Sequence, residues 1–196
     1  MVTKFVFFDL GGVVIKDFSG TNKWQEMKNA VGISTEQNSR FNTWYDQAER
    51  DLSEGKINLP LQFENINLTL DDFVSRFETN PSIWPVINAF HQKFPVGLLT
   101  NMYPSMFEAV KNRGLLPDVS WNIIIDSSIE KVAKPDPNIY KLAQDRVHAN
   151  GSEILFIENT PGNIKPARSL DWQTFLYDSA HPTDSSQKLS LLLETE

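Results

Sequence analysis

Five short apolar runs punctuate the chain, at residues 5–8, 96–100, 121–126, 154–158 and 174–177. Each has the length and the β-branched or aromatic make-up of a strand buried on both faces, as in a parallel sheet. Between and after the later runs the apolar positions recur at three to four residues, which predicts helices over 106–113, 138–148 and 164–170. Pro137 sits where the first turn of the second of these tolerates it. A last short helix is expected over 185–193. Strands alternating with helices of this length imply right-handed β-α-β units, hence an α/β, Rossmann-like fold with a parallel sheet and helices on both faces.

The stretch 18–86 breaks that rhythm. Trp24, Met27 and Val31, then Phe41, Trp44, Tyr45 and Ala48, then Leu70, Phe73, Val74 and Phe77 fall at helix-like spacings,. No convincing strand stands out there. The simplest organisation is a core built from 1–17 and 87–196, with 18–86 as a small helical insert after the first strand. Helix packing accounts for most of its aromatic residues, and an aromatic ligand pocket is the second reading.

The polar residues that end the apolar runs carry the candidate chemistry. Asp9 ends the first run, Thr100 with Asn101 the second, and Glu158 with Asn159 the fourth. Lys134 lies in the loop segment AKPDP, just before the helix opened by Pro137. If the sheet is parallel, all of these meet at its C-terminal rim, where open α/β folds bind ligands. Each has a plainer explanation: Asp9 and Thr100 as turn or helix caps, Lys134 as a solvated lysine, Glu158 as a loop acid. Four coincidences in this order are less economical than one site. Such a rim suits nucleophilic attack by a carboxylate, with a lysine and a metal ion offsetting the charge of a phosphate.

Composition narrows the surroundings. The 196 residues are 40% hydrophobic and 22% charged, as in an ordinary globular protein, and no apolar run approaches the ~20 residues of a membrane span,. The start, MVTKFVFFD, lacks the longer apolar core of a secretory signal, so a cytoplasmic protein is expected. The chain has no cysteine, which excludes disulfides and a thiol nucleophile,. Its three histidines, His91, His148 and His181, have no metal-ligand spacing. A net charge of −7 without a basic cluster disfavours nucleic acid and anionic membrane as partners,. A small anionic substrate would need a local positive group.

FFDLGGVV, LLTN, KPDPNIY and FIENTPGNIKPAR, in that order, resemble the four motifs of the haloacid dehalogenase (HAD) superfamily of aspartate-nucleophile hydrolases. The likeness is greatest to the branch containing small sugar-phosphate phosphatases and the phosphatase domain of soluble epoxide hydrolases. The resemblance implies a HAD-like core with the insert as a helical cap. It implies Asp9 as nucleophile, Thr100 as phosphate-binding hydroxyl, Lys134 as charge-neutralising lysine, and Asn101 and the Gly12 backbone as substrate-binding groups. Magnesium is the implied cofactor, held by Asp9, the Gly11 carbonyl, Glu158 and Asn159. The implied substrate is a small phosphorylated metabolite.

Two positions depart from the family pattern. Gly11 stands two residues after the nucleophile, where the family usually has a second acid that protonates the leaving group and then activates water. Asn159 stands where the branch usually has a magnesium-binding aspartate, and an amide oxygen offers the ion a dipole in place of a full charge. Further along, Asn163 occupies a position where relatives carry a polar or acidic residue supporting the lysine or the metal shell. Three readings follow: a phosphatase with an altered metal site, a catalytically impaired protein that binds a phosphorylated ligand or a protein partner, and a metal-independent dehalogenase. The last usually carries Ser-Ser-Asn-x-x-Asp in the fourth motif, which IENTPGN does not match.

Overall fold

The computed structural model describes residues 3–194. In chain order its elements are β1 (Phe5–Phe8), β2 (Ile15–Lys16), α1 (Lys23–Ala30), α2 (Asn38–Ser53), β3 (Leu61–Phe63), β4 (Ile66–Leu68), α3 (Leu70–Val74), β5 (Glu78–Thr79), α4 (Trp84–Lys93) and β6 (Val96–Thr100). There follow α5 (Met106–Asn112), β7 (Ile123–Asp126), α6 (Ser127–Glu130), α7 (Pro137–Val147), a 3-10 turn (Gly151–Glu153), β8 (Ile154–Glu158), α8 (Pro161–Ser169), β9 (Gln173–Leu176) and α9 (Pro182–Glu194).

The main sheet has the order β7-β6-β1-β8-β9 and every pairing in it is parallel. β1 is central because its four residues, FVFF, are buried on both faces,. Their alternation feeds two cores. Val6 and Phe8 join Val86, Ile87 and Phe90 of α4, Val110 of α5 and Leu189 of α9 on one face. Phe5 and Phe7 join Ile139, Tyr140 and Ala143 of α7, Ala167 of α8 and Trp172 on the other. From β1 the chain builds outward through β6 and β7, then returns to the opposite side for β8 and β9. That reversal opens a crevice at the C-terminal end of β1, where Asp9 follows the strand.

The expected α/β class, the parallel sheet and all five strand regions are present, with ends shifted by up to two residues. The expectation of no strand in the insert is corrected. β3 and β4 form an antiparallel hairpin, and β2 pairs antiparallel with β5, tying the entry of the helical segment to its exit. Both ribbons are two or three residues per strand, too short to display the alternation that identifies a strand. α4 runs across the expected 86/87 boundary. The helical segment packs its aromatic rings on one another: Trp24 and Tyr45 lie 4.7 Å apart, Phe41 and Phe63 5.2 Å. Phe73 meets Tyr103 edge-on at 5.6 Å, joining the segment to the loop after β6. Among the described residues no helix is long and apolar enough to cross a membrane.

Phe156 is fully buried on β8, its ring edge-on to Tyr140 and Trp172, and carries the Lys134 ammonium 5.3 Å from its centroid. Phe156→Ala should therefore lower unfolding free energy by about 3–5 kcal/mol, through lost burial and the cavity left behind. Urea denaturation followed by tryptophan fluorescence would read the loss; a change under about 1 kcal/mol would show that this face of the sheet repacks.

Candidate active site

Strand register brings the acids together. Phe8 pairs with Ile157, and the Asp9 N–H donates to the Ile157 carbonyl at 2.9 Å, so Asp9 and Glu158 are neighbours one step beyond. On the other side of β1, Phe8 pairs with Leu98, which sets Thr100 at the same rim. Lys134 arrives from the loop between α6 and α7. Its ammonium donates to Glu158 Oε2 at 2.7 Å and lies 2.9 Å from Asp9 Oδ1, so one cation serves two carboxylates. All four side chains are buried, and Glu158 is entirely inaccessible.

Lys134 is held from behind as well. The Asn101 side chain accepts a bond from the Lys134 backbone N–H and donates one to its carbonyl, both at 2.8 Å. Asn101, implied as a substrate-binding residue, is thus already engaged in fixing the lysine's backbone. Glu158 is equally constrained. Its Oε1 accepts from the Thr160 N–H at 2.8 Å, and its Oε2 accepts from Asn163 Nδ2 at 3.1 Å in addition to Lys134. The Tyr140 hydroxyl holds Asn163 through its carbonyl at 2.7 Å.

The electrostatics follow from this arrangement. Burial and the neighbouring Glu158 charge push the Asp9 carboxyl far above the usual carboxylate range, against the opposing pull of Lys134,. Burial also opposes ionisation of Glu158, but the Lys134 charge and the bonds from Lys134 and Thr160 outweigh it and hold its pKa low. Burial works against the Lys134 ammonium, yet the two carboxylates raise its pKa. Lys134 thus bridges two carboxyl groups, with Asp9 in the negative field of Glu158.

The two glycines after Leu10 have different duties. Gly12 has a φ of +75°, and a Cβ there would collide with the Asn159 amide; its carbonyl accepts from the Ser179 hydroxyl at 2.7 Å,. Asn159, implied as a metal ligand, lies against this glycine. It lines a depression with Ser19, Gly20 and Ser179 that shares Ser19 and Thr160 with the main cavity. Gly11 lines the main cavity, and a Cβ there would collide with Asp17 Oδ2.

That cavity, of about 1060 Å³, lies between the sheet rim and the helical segment. Gly11, Asn101 and Lys134 form part of its rim wall; Phe18, Trp24, Tyr45 and Phe73 face it from the helical segment and the loop leading there. Those rings pack on one another and also line the cavity. Tyr45 and Tyr103 meet hydroxyl to hydroxyl in its wall, both buried. Asp17, half-buried, also lines it. Its Oδ1 accepts from the Ser19 N–H at 2.7 Å, and burial pushes its carboxyl up.

A family model described as haloacid dehalogenase-like hydrolase matches residues 3–171. The chain belongs to the haloacid dehalogenase-like hydrolases. Over 147 residues it is 28% identical to bifunctional epoxide hydrolase 2 of Sus scrofa, covering 69% of this chain and 26% of that protein. Over 99 residues it is 29% identical to acyl-CoA dehydrogenase family member 10 of Mus musculus, covering 50% of this chain and 9% of that one. The chain therefore spans about a quarter or less of these two relatives. A HAD family enzyme from Bacteroides thetaiotaomicron, solved as a magnesium complex, superposes with a TM-score of 0.74 at 20% identity, covering 91% and 95% of the two chains. An L-2-haloacid dehalogenase from Xanthobacter autotrophicus, solved with chloropropionic acid covalently bound, superposes at 0.62 and 16% identity, covering 90% and 78%. At these identities the superpositions establish the shared fold.

The donor set fits the magnesium used by such hydrolases. Asp9 and Glu158 are adjacent carboxyl groups, Glu158 buried with one hydrogen bond on Oε1 and two on Oε2, and the Gly11 backbone carries a further oxygen on the loop after Asp9,. Among the described residues no three His, Cys, Asp or Glu side chains converge as a metal site. Two contributors were missed in the sequence: the Thr160 N–H and Asp17. The first is a backbone group, and the second sits at no strand end of the main sheet.

Lys134→Met should cost about 3–5 kcal/mol of stability, because it leaves two buried carboxylates without a cation. Adding Glu158→Gln should restore at least half of that loss in chemical denaturation. A double variant less stable than the single one would show that Lys134 is not compensating Glu158.

Proposed function

We propose that the protein is a metal-assisted phosphatase of small phosphorylated compounds, working through a phosphoryl group carried transiently on Asp9. The observation that supports this most strongly is the charge balance at the strand ends: two buried carboxylates share a single ammonium. Burial and the Glu158 charge hold the Asp9 carboxyl pKa up, so a divalent cation on these oxygens would keep Asp9 ionised for attack and offset the charge of a phosphate dianion,. Asp9, the Gly11 carbonyl and Glu158 would hold Mg²⁺, whose charge would offset that of the phosphate.

The residues then divide the work. Asp9 presents a carboxylate oxygen to phosphorus, and Lys134 and the Thr100 hydroxyl hold the phosphoryl oxygens as charge builds on them. The Asn101 clamp keeps the Lys134 backbone from shifting, so the ammonium is in place before the substrate arrives,. The helical segment acts as a cap whose aromatic side contacts the organic part of the substrate and limits water around the reacting phosphorus,. The Bacteroides HAD enzyme was also solved with magnesium and inorganic phosphate, which supports phosphate chemistry on this fold. The Xanthobacter dehalogenase uses the same fold on a haloacid. In this chain Glu158, beside the nucleophile, would repel the carboxylate of such a substrate, and IENTPGN departs from the dehalogenase motif. A cysteine-free chain suits a reducing, cytoplasmic setting,.

With an aryl phosphate and Mg²⁺ the protein should release phosphate, lose activity with a chelator and regain it on adding the metal back. Asp9→Asn should reduce turnover by about 10⁴-fold or more. Acid-quenched wild-type enzyme should carry one phosphoryl group on Asp9 by mass spectrometry. Turnover unchanged in Asp9→Asn rules the mechanism out.

A further inference from the structure

Cleaving an unactivated phosphomonoester requires a proton for the departing alkoxide, and the charged triad at the strand ends offers none. Lys134 is committed to Asp9 and Glu158. Glu158 is wholly buried, with both oxygens bonded. Position 11, beside the nucleophile, has no side chain. Of the other acids facing the cavity, Asp46, Glu49 and Glu54 belong to α2 or its C-terminal cap, and Asp136 is exposed at the start of α7, where its Oδ1 caps the helix by accepting from the Asn138 N–H at 2.8 Å. Tyr45 and Tyr103 are buried and bonded to each other.

Asp17 is placed differently. It follows β2 directly, faces the same cavity as Gly11 and Lys134, and is anchored through Oδ1 by the Ser19 N–H. Its second oxygen occupies the space a side chain at position 11 would enter, so tightly that a Cβ there would strike it. We propose that Asp17 is the proton-transfer residue of this site, supplying from the cap junction the carboxyl that Gly11 lacks. The assignment rests on the phosphatase reading above.

An Asp9 oxygen bonds to phosphorus while the phosphorus–oxygen bond to the leaving group breaks; the Asp17 proton passes to that oxygen and the alcohol departs. Asp17, now a carboxylate, takes a proton from water as the water oxygen attacks phosphorus. The bond from Asp9 to phosphorus breaks, which frees inorganic phosphate and returns Asp9 as a carboxylate and Asp17 as the protonated acid.

Single-turnover and steady-state kinetics of wild type and Asp17→Asn with 4-nitrophenyl phosphate and phenyl phosphate test this. The nitrophenolate leaves readily without a proton, whereas phenolate, with a conjugate-acid pKa of about 10, gains from one. Asp17→Asn should lower phosphorylation by phenyl phosphate by about 10²–10⁴-fold and affect 4-nitrophenyl phosphate by at most about tenfold. With the latter, a burst of nitrophenol followed by slow release should accompany phosphoenzyme accumulating on Asp9. Equal losses with both substrates and no accumulation overturn the role of Asp17 and leave the phosphatase reading standing. Wild-type protein that neither turns over nor becomes phosphorylated overturns both. The double variant Gly11→Asp, Asp17→Ala supplies the test should Asp17→Asn fail to fold. Turnover of phenyl phosphate within about 100-fold of wild type supports an acid in that space, and none overturns it.

Discussion

The Lys134 ammonium between Asp9 and Glu158 is the contact on which the rest of this site depends. It joins the central strand, its neighbour β8 and the loop before α7 at one point, in surroundings where an uncompensated charge would be costly,. Its supports reach outward: Asn101 grips its backbone, Phe156 lies under its ammonium, and Thr160 and Asn163 hold Glu158. The core of the sheet and the polar rim are thus parts of one packed assembly. Phe156 belongs to both, packed in the core of β8 and lying under the lysine that pairs with the nucleophile.

The sheet was readable because its strands are nearly uniformly apolar and end in polar residues. FVFF and ILFIE admit few other readings, and once the strands are taken as parallel, Asp9, Thr100 and Glu158 fall on one edge. The ribbons β2–β5 and β3–β4 were not readable, since two or three residues cannot show a period. Asn101 and Asn159 illustrate a different limit. Both stand at motif positions, yet one spends its amide on the lysine backbone and the other rests on Gly12. Which way an amide points depends on what the fold packs around it, and that information is absent from its place in the sequence.

Gly11 and Asp17 make the same point from the opposite side. Six residues apart in the chain, they compete for one volume, because β2 and the turn before it fold back over the loop after β1. Sequence motifs record neighbours along the chain, whereas chemistry needs neighbours in space. An acid missing from a motif is therefore weak grounds for declaring a site inert.

The bond from the Ser179 hydroxyl to the Gly12 carbonyl bears on how the protein can be divided. Residues 3–171 carry the family match, yet the loop holding the nucleophile is braced by a residue beyond them. β9, which completes the sheet beside β8, also lies past that limit, and the Tyr177 hydroxyl bonds Ser186 at its far side and meets Asn80 of the helical segment's exit. The stretch matched by the family model is thus shorter than the packed sheet and its supports. A fragment cut at the edge of the family match would keep every motif and lose the buttress that steadies the first of them.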